Sequence, residues 1–140
     1  THRDPVETVP SAASMNQAMW ALYSDEDKSS VVGAQWQDRL AWGTKRAMAS
    51  RENYDANRFV DVWFRDALKD PIAEIERAYG VFGIEFTPEA RAGMEKWRTD
   101  NPRDKRPPHE YRLEDYGLTK EGIEAAFAEY RERFIVPRLG

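Results

Sequence analysis

Apolar residues recur at helical spacing through most of this chain, and the interruptions of that pattern divide it into elements. Over residues 5–23 the apolar positions Val9, Ala12, Ala13, Ala18, Trp20 and Leu22 predict a first helix. Asp4 stands before it as N-cap, Pro5 takes the first helical position, and Glu7 follows three residues after the cap in a D-x-x-E capping box. Pro10 withholds one N–H from the ladder, which predicts a kink just before Ser11. The polar run 24–30 reads as a loop. A second helix over about residues 31–51 carries Val32, Trp36, Leu40, Gly43 and Ala47 at spacings of four, four, three and four, one apolar stripe.

The pattern changes over Arg58 to Phe64. Phe59, Val60, Val62, Trp63 and Phe64 are apolar on both alternating sets, as in a strand covered on both faces, and Asp61 is expected toward an end or an edge. Asp70 and Pro71 then open a helix with Ile72, Ile75, Tyr79 and Phe82 on one stripe, closed at Gly83. Thr87 and Pro88 open another, which holds Ala90, Met94 and Trp97 and runs out near Asn101 and Pro102. Thr119 caps a last helix with Ile123, Phe127, Tyr130 and Phe134 at heptad-like spacing. One strand among about five helices leaves its backbone groups unpaired if it stands alone. The pattern therefore predicts an α/β class: a mostly helical portion whose one parallel strand, Arg58 to Phe64, pairs with strands not contained in residues 1–140.

Composition then narrows the function classes. A length of 140 residues suits one domain with a real core. Lysine and arginine number 21 against 25 acidic residues, and the net charge of −4 lends no overall support to a nucleic-acid surface. The absence of cysteine excludes disulfides and thiolate metal sites and suits a reducing cytoplasm, the expected location. His2 and His109 are too few for a histidine metal cluster, so no metal is expected. No apolar run approaches the roughly 20 residues of a membrane span, and no secretory leader pattern opens the chain. The eight glycines form no G-x-x-x-x-G-K-[ST] or G-x-G-x-x-G loop; Gly43-Thr44-Lys45 is the nearest imitation, inside a helical pattern.

Two places carry candidate chemistry. Arg3 lies in the loop before the first helix, where free N–H groups and the helix dipole favour an anion, and Ser11, two turns in, adds a hydroxyl that meets the same anion only if the loop folds back over the helix. The segment 100–109 is proline-rich and locally basic, with Lys105, Arg106 and His109, and Asp100 and Asp104 are able to neutralise the bases in a plain solvated turn. His2, beside Arg3, reads as structural rather than as a general base. Trp20, Trp36 and Trp42 suit an apolar pocket or a core equally.

Arg3 followed after seven residues by Ser11, opened by R-D-P, resembles the 3′-phosphate-binding motif of sulfotransferases. The run Phe59-Val60-Asp61-Val62-Trp63-Phe64-Arg65-Asp66, then Ala67-Leu68-Lys69-Asp70-Pro71, resembles that family's strand, turn and helix, usually written with Y-E-D and D-P. The tail from Asn101-Pro102 through Lys105-Arg106, His109, Tyr111 and Leu113-Glu114-Asp115-Tyr116-Gly117-Leu118 resembles a C-terminal segment common in bacterial-type sulfotransferases. The three matches occur in family order and span nearly the whole chain.

The resemblance implies a P-loop-like three-layer fold and 3′-phosphoadenosine 5′-phosphosulfate as co-substrate. It places Arg3 and Ser11 on the 3′-phosphate, with Lys105, Arg106 and His109 closing from the other side. It implies transfer of the sulfuryl group to a hydroxyl or amine of a small-molecule acceptor. By the same resemblance the 5′-phosphosulfate loop and the base lie upstream of Thr1, so residues 1–140 read as the C-terminal half of a sulfotransferase domain. That half is expected to be inactive alone and to have the missing N-terminal half as its partner; no catalytic residue is assigned within it. Two departures stand out. Pro107 replaces a frequent glycine and removes an N–H, and Phe64 and Arg65 stand where the family has tyrosine and glutamate. Two other classes stay open: a non-catalytic helical interaction domain that docks through its stripes, and a nucleotide kinase-like phosphotransferase.

Overall fold

A computed structural model of the chain describes residues 1–102 and 111–139. Among these residues the helices are α1 (Pro5–Trp20), α2 (Ser29–Arg51), α3 (Phe64–Lys69), α4 (Pro71–Val81), α5 (Pro88–Asp100), α6 (Lys120–Ala126) and α7 (Ala128–Phe134). Short 3-10 turns occupy Ala56–Arg58, Glu114–Tyr116 and Val136–Arg138.

Local chemistry sets most helix starts. The carboxylates of Asp4 and Asp70 accept from the Val6 and Ala73 amides, each at 3.1 Å, and a proline follows each cap. Thr87 and Thr119 cap α5 and α6 through the Ala90 and Gly122 amides at 3.2 and 3.0 Å. A side-chain oxygen in each case satisfies an N–H that has no partner within the helix. Pro10 lies inside α1, which runs through it as one helix; its side chain is fully buried beside Val9. The expected single last helix is divided at Phe127, whose backbone (φ −113°, ψ 20°) leaves the helical region, yet Ile123, Phe127 and Phe134 remain on a shared buried stripe.

The expected strand does not form. Among the described residues there is no strand and no sheet, and the α/β three-layer class read from the sequence is corrected to a helical one. Arg58 closes a 3-10 turn, Phe59 is extended, and Phe64 already opens α3. What remains of strand pairing is an isolated parallel bridge between His2 and Trp63, made by His2 N–H to the Val62 carbonyl (2.7 Å) and Phe64 N–H to the His2 carbonyl (2.8 Å). The Asp61 carbonyl accepts instead from the Arg77 guanidinium at 2.6 Å. A side-chain donor takes the place of a neighbouring strand there.

The chain divides into two compact units, one holding residues 1–2 and 54–102 of those described, the other 3–53 and 111–139. In the second unit, α1 packs on α2, α6 and the turn Glu114–Tyr116. Its core joins Val9, Leu118, Ile123 and Phe127, flanked by Val6, Leu40, Leu113 and Tyr116; a smaller cluster joins Met48, Phe134 and Ile135. Leu113, Tyr116 and Leu118 of the tail motif are thus packing residues. Gly33 lets α2 approach closely: a Cβ there would lie 2.1 Å from the Tyr116 carbonyl oxygen. On α2 the buried face is Val32, Gly33 and Met48 with Leu40 half-buried, while Ala47 of the predicted stripe is exposed. In the first unit Ile72 is the buried hydrophobic residue among those described, and the Tyr79 and Phe86 rings meet edge to face at 5.3 Å. No helix among the described residues is long and apolar enough to cross a membrane.

Candidate functional site

The R-D-P opening builds a compact charged cluster around the start of α1. Asp4 ends the extended lead-in (φ −60°, ψ 127°) and caps the helix. Arg3, just before the cap, turns its side chain along the first turn, and its Nε donates to Glu7 Oε2 at 2.8 Å. This pair is one-third exposed at Arg3 (33%) and slightly more at Glu7 (39%). Ser11 lies four residues beyond Glu7, on the same helix face and about 6 Å further along the axis, and is half-buried.

A second arginine holds the cap itself. Arg131 of α7 reaches both carboxylate oxygens of Asp4, Nε at 3.2 Å and Nη2 at 3.1 Å, while its Nη1 meets Glu124 at 2.8 Å. These side chains are well covered, Arg131 to 13% exposure and Asp4 to 16%. Burial works to lower the Arg131 pKa, but the hydrogen bonds and charges of Asp4 and Glu124 outweigh it and the net shift is upward. Tyr111 braces the same turn, its hydroxyl donating to the Glu7 carbonyl at 3.1 Å. Tyr111, from the later part of the tail motif, therefore meets the opening motif within one unit.

The first-turn amides are not the anion donors expected from the sequence. Val6 N–H goes to the Asp4 carboxylate, and Glu7 and Thr8 N–H go to the Asp4 carbonyl at 2.9 and 3.1 Å. With two carboxylates already at the helix mouth, the groups suited to an incoming anion are side chains: the Arg3 guanidinium, a planar fork of donors, and the Ser11 hydroxyl.

The other sequence candidates fall as follows. His2 is buried in the first unit, where its Nε2 lies 2.8 Å from Asp61 Oδ1 and its ring 5.4 Å from Trp63. Phe64 is half-buried at the first position of α3. Trp20 and Trp42 are exposed and Trp36 half-buried; the Arg46 guanidinium lies 5.2 Å from the centre of the Trp42 ring. Lys105, Arg106, His109 and Pro107 lie outside the described residues. Sequence reasoning passed over Arg131 and Glu124. Their signal is a charged pair seven residues apart, on one face of an otherwise apolar stripe.

The sequence profile of a family described as "Sulfotransferase family" matches residues 1–89, which include Arg3 and Ser11. The structure is similar to the crystal structure of sulfotransferase STF9 from Mycobacterium avium, with 27% identity and a TM-score of 0.84 over 96% of this chain and 35% of that one. It is also similar to sulfotransferase STF1 from Mycobacterium tuberculosis H37Rv, with 31% identity and a TM-score of 0.78 over 92% of this chain and 32% of that one. The chain thus spans about a third of the length of either structure. No curated protein matches it.

Proposed function

The chain belongs to the sulfotransferase family, and on that premise we propose that it serves sulfuryl transfer from 3′-phosphoadenosine 5′-phosphosulfate to an acceptor hydroxyl or amine by holding the donor's 3′-phosphate. In that reaction the acceptor atom bonds to sulfur and gives up its proton to a base, the bond from sulfur to the 5′-phosphate oxygen breaks, and adenosine 3′,5′-bisphosphate leaves. A grip on the far end of the nucleotide orients the donor, and binding energy from such a remote group is available to lower the barrier. Arg3 presents the charged fork and Ser11 a hydroxyl on the same side of α1. By the resemblance alone, Lys105 and Arg106 add cations from the tail segment.

The observation that supports this reading is the bond of the Arg3 side chain to Glu7 at the start of α1, one helical turn before Ser11, inside the stretch that matches the family. Substitution of Arg3 by alanine tests it. Loss of a charge-assisted phosphate contact worth about 1.5–3 kcal/mol should weaken adenosine 3′,5′-bisphosphate roughly ten- to a hundredfold and leave adenosine 5′-monophosphate nearly unchanged. Ser11→Ala should show the same selectivity with a smaller loss. Calorimetric titration with both nucleotides measures this; equal losses for the two would mean that Arg3 supports the fold and does not read the 3′-phosphate.

A further inference from the structure

Arg3 is already occupied by a carboxylate. We infer that Glu7 acts as the resident counter-anion of Arg3 and tempers its hold on the donor, so that the 3′-phosphate binds by displacing it or by sharing the guanidinium with it. This inference rests on the reading of Arg3 as a 3′-phosphate contact. The Arg3 Nε to Glu7 Oε2 bond is 2.8 Å long and joins two partly exposed side chains one helical turn apart. Glu7 is also hard to move aside as a backbone unit, because its amide is bonded to the Asp4 carbonyl and its carbonyl accepts from Tyr111. The carboxylate therefore stays within reach of Arg3 whether or not a nucleotide is present, and only its side chain can swing away.

One consequence follows from charge alone. A phosphate drawn to Arg3 meets the like charge of Glu7 a few ångströms away, which weakens its hold. Glu7 thereby makes the contact easily reversed, which favours release of the bisphosphate product after transfer. The pair is exposed enough that the effect is moderate and screened by salt.

Glu7→Gln removes the charge but keeps an oxygen that can accept from Arg3 Nε. It should tighten adenosine 3′,5′-bisphosphate by roughly two- to fivefold, with no change for adenosine 5′-monophosphate. Glu7→Asp retains the charge and should stay near the parent affinity, and thermal melts of both variants report whether the helix start is intact. Unchanged or weakened bisphosphate binding in a folded Glu7→Gln protein would overturn the inference. If Arg3→Ala is selective for the bisphosphate while Glu7→Gln shows no gain, the counter-anion role alone is lost. If Arg3→Ala shows no selectivity, the 3′-phosphate reading falls and this inference falls with it.

Discussion

At the residue scale, the largest predicted cost on the described surface of the site falls on Arg131 rather than on Arg3. Arg131 and Asp4 are the covered members of the charge cluster, and removing one leaves the other desolvated without its partner. Arg131→Ala should lower unfolding stability by about 1.5–3 kcal/mol, read as a shift in the denaturant midpoint without a change in slope. Arg131→Lys should recover part of this, since an ammonium cannot bridge Asp4 and Glu124 with the same fork. The exposed Arg3–Glu7 pair should contribute well under this. Residue types explain what could be anticipated here. Arg3, Asp4 and Ser11 lie within nine residues of one another, so one capping pattern and one turn count relate them. Arg131 lies 127 residues from Asp4, and no local pattern announces such a partner.

At the element scale, α2 shows both what a helix start needs and what a helix face must fit. Asp27 accepts from the Ser29 hydroxyl at 2.6 Å and from the Ser29 amide at 2.9 Å, and these bonds, the hydroxyl foremost, hold its carboxyl below the usual carboxylate range. A depressed carboxylate pKa means that the bond is fully present above the ordinary range and is lost as pH falls through the lowered value. Protection of the Ser29 amide relative to its intrinsic exchange rate should therefore fall on acidification below the usual carboxylate range, and Asp27→Asn should abolish that change. On the packed face, Gly33→Ala would set a Cβ against the Tyr116 carbonyl. Such crowding against backbone should cost about 1–3 kcal/mol despite the better helix propensity of alanine, as thermal unfolding would show. Of the stripe read from spacing on α2, Val32 is buried, Trp36, Leu40 and Gly43 are half-buried and Ala47 is exposed. Periodicity marks an apolar side, while Gly33 is covered by Tyr116 and Met48 by Phe134 and Ile135.

At the scale of the whole molecule, the two units differ in how much core they enclose. Residues 3–53 and 111–139 surround Val9 and Ile123, both fully buried, whereas Ile72 is the buried hydrophobic residue among the described part of the other unit. Hydrogen exchange should accordingly be slowest in α1 and α6 and faster in α4 and α5, and Ile123→Ala should destabilise the second unit by about 2–5 kcal/mol. Uniform protection across both units would contradict this. The sequence by itself determined the helix starts at Pro5, Pro71, Pro88 and Lys120, the buried stripe Ile123, Phe127 and Phe134, and the motif order that points to the sulfotransferase family. Helical hydrogen bonds, caps and side-chain stripes are made between residues a few positions apart, and for that reason they are written in local order. Tertiary structure alone decided that 58–64 would be a turn, an extended link and a helix start, because a strand exists only where a second strand supplies its hydrogen bonds, and here His2 and the Arg77 side chain take that place. It alone also decided that Arg131 would clasp Asp4 and that Tyr111 would brace Glu7, since contacts across such separations depend on how the helices pack and not on the order of residues.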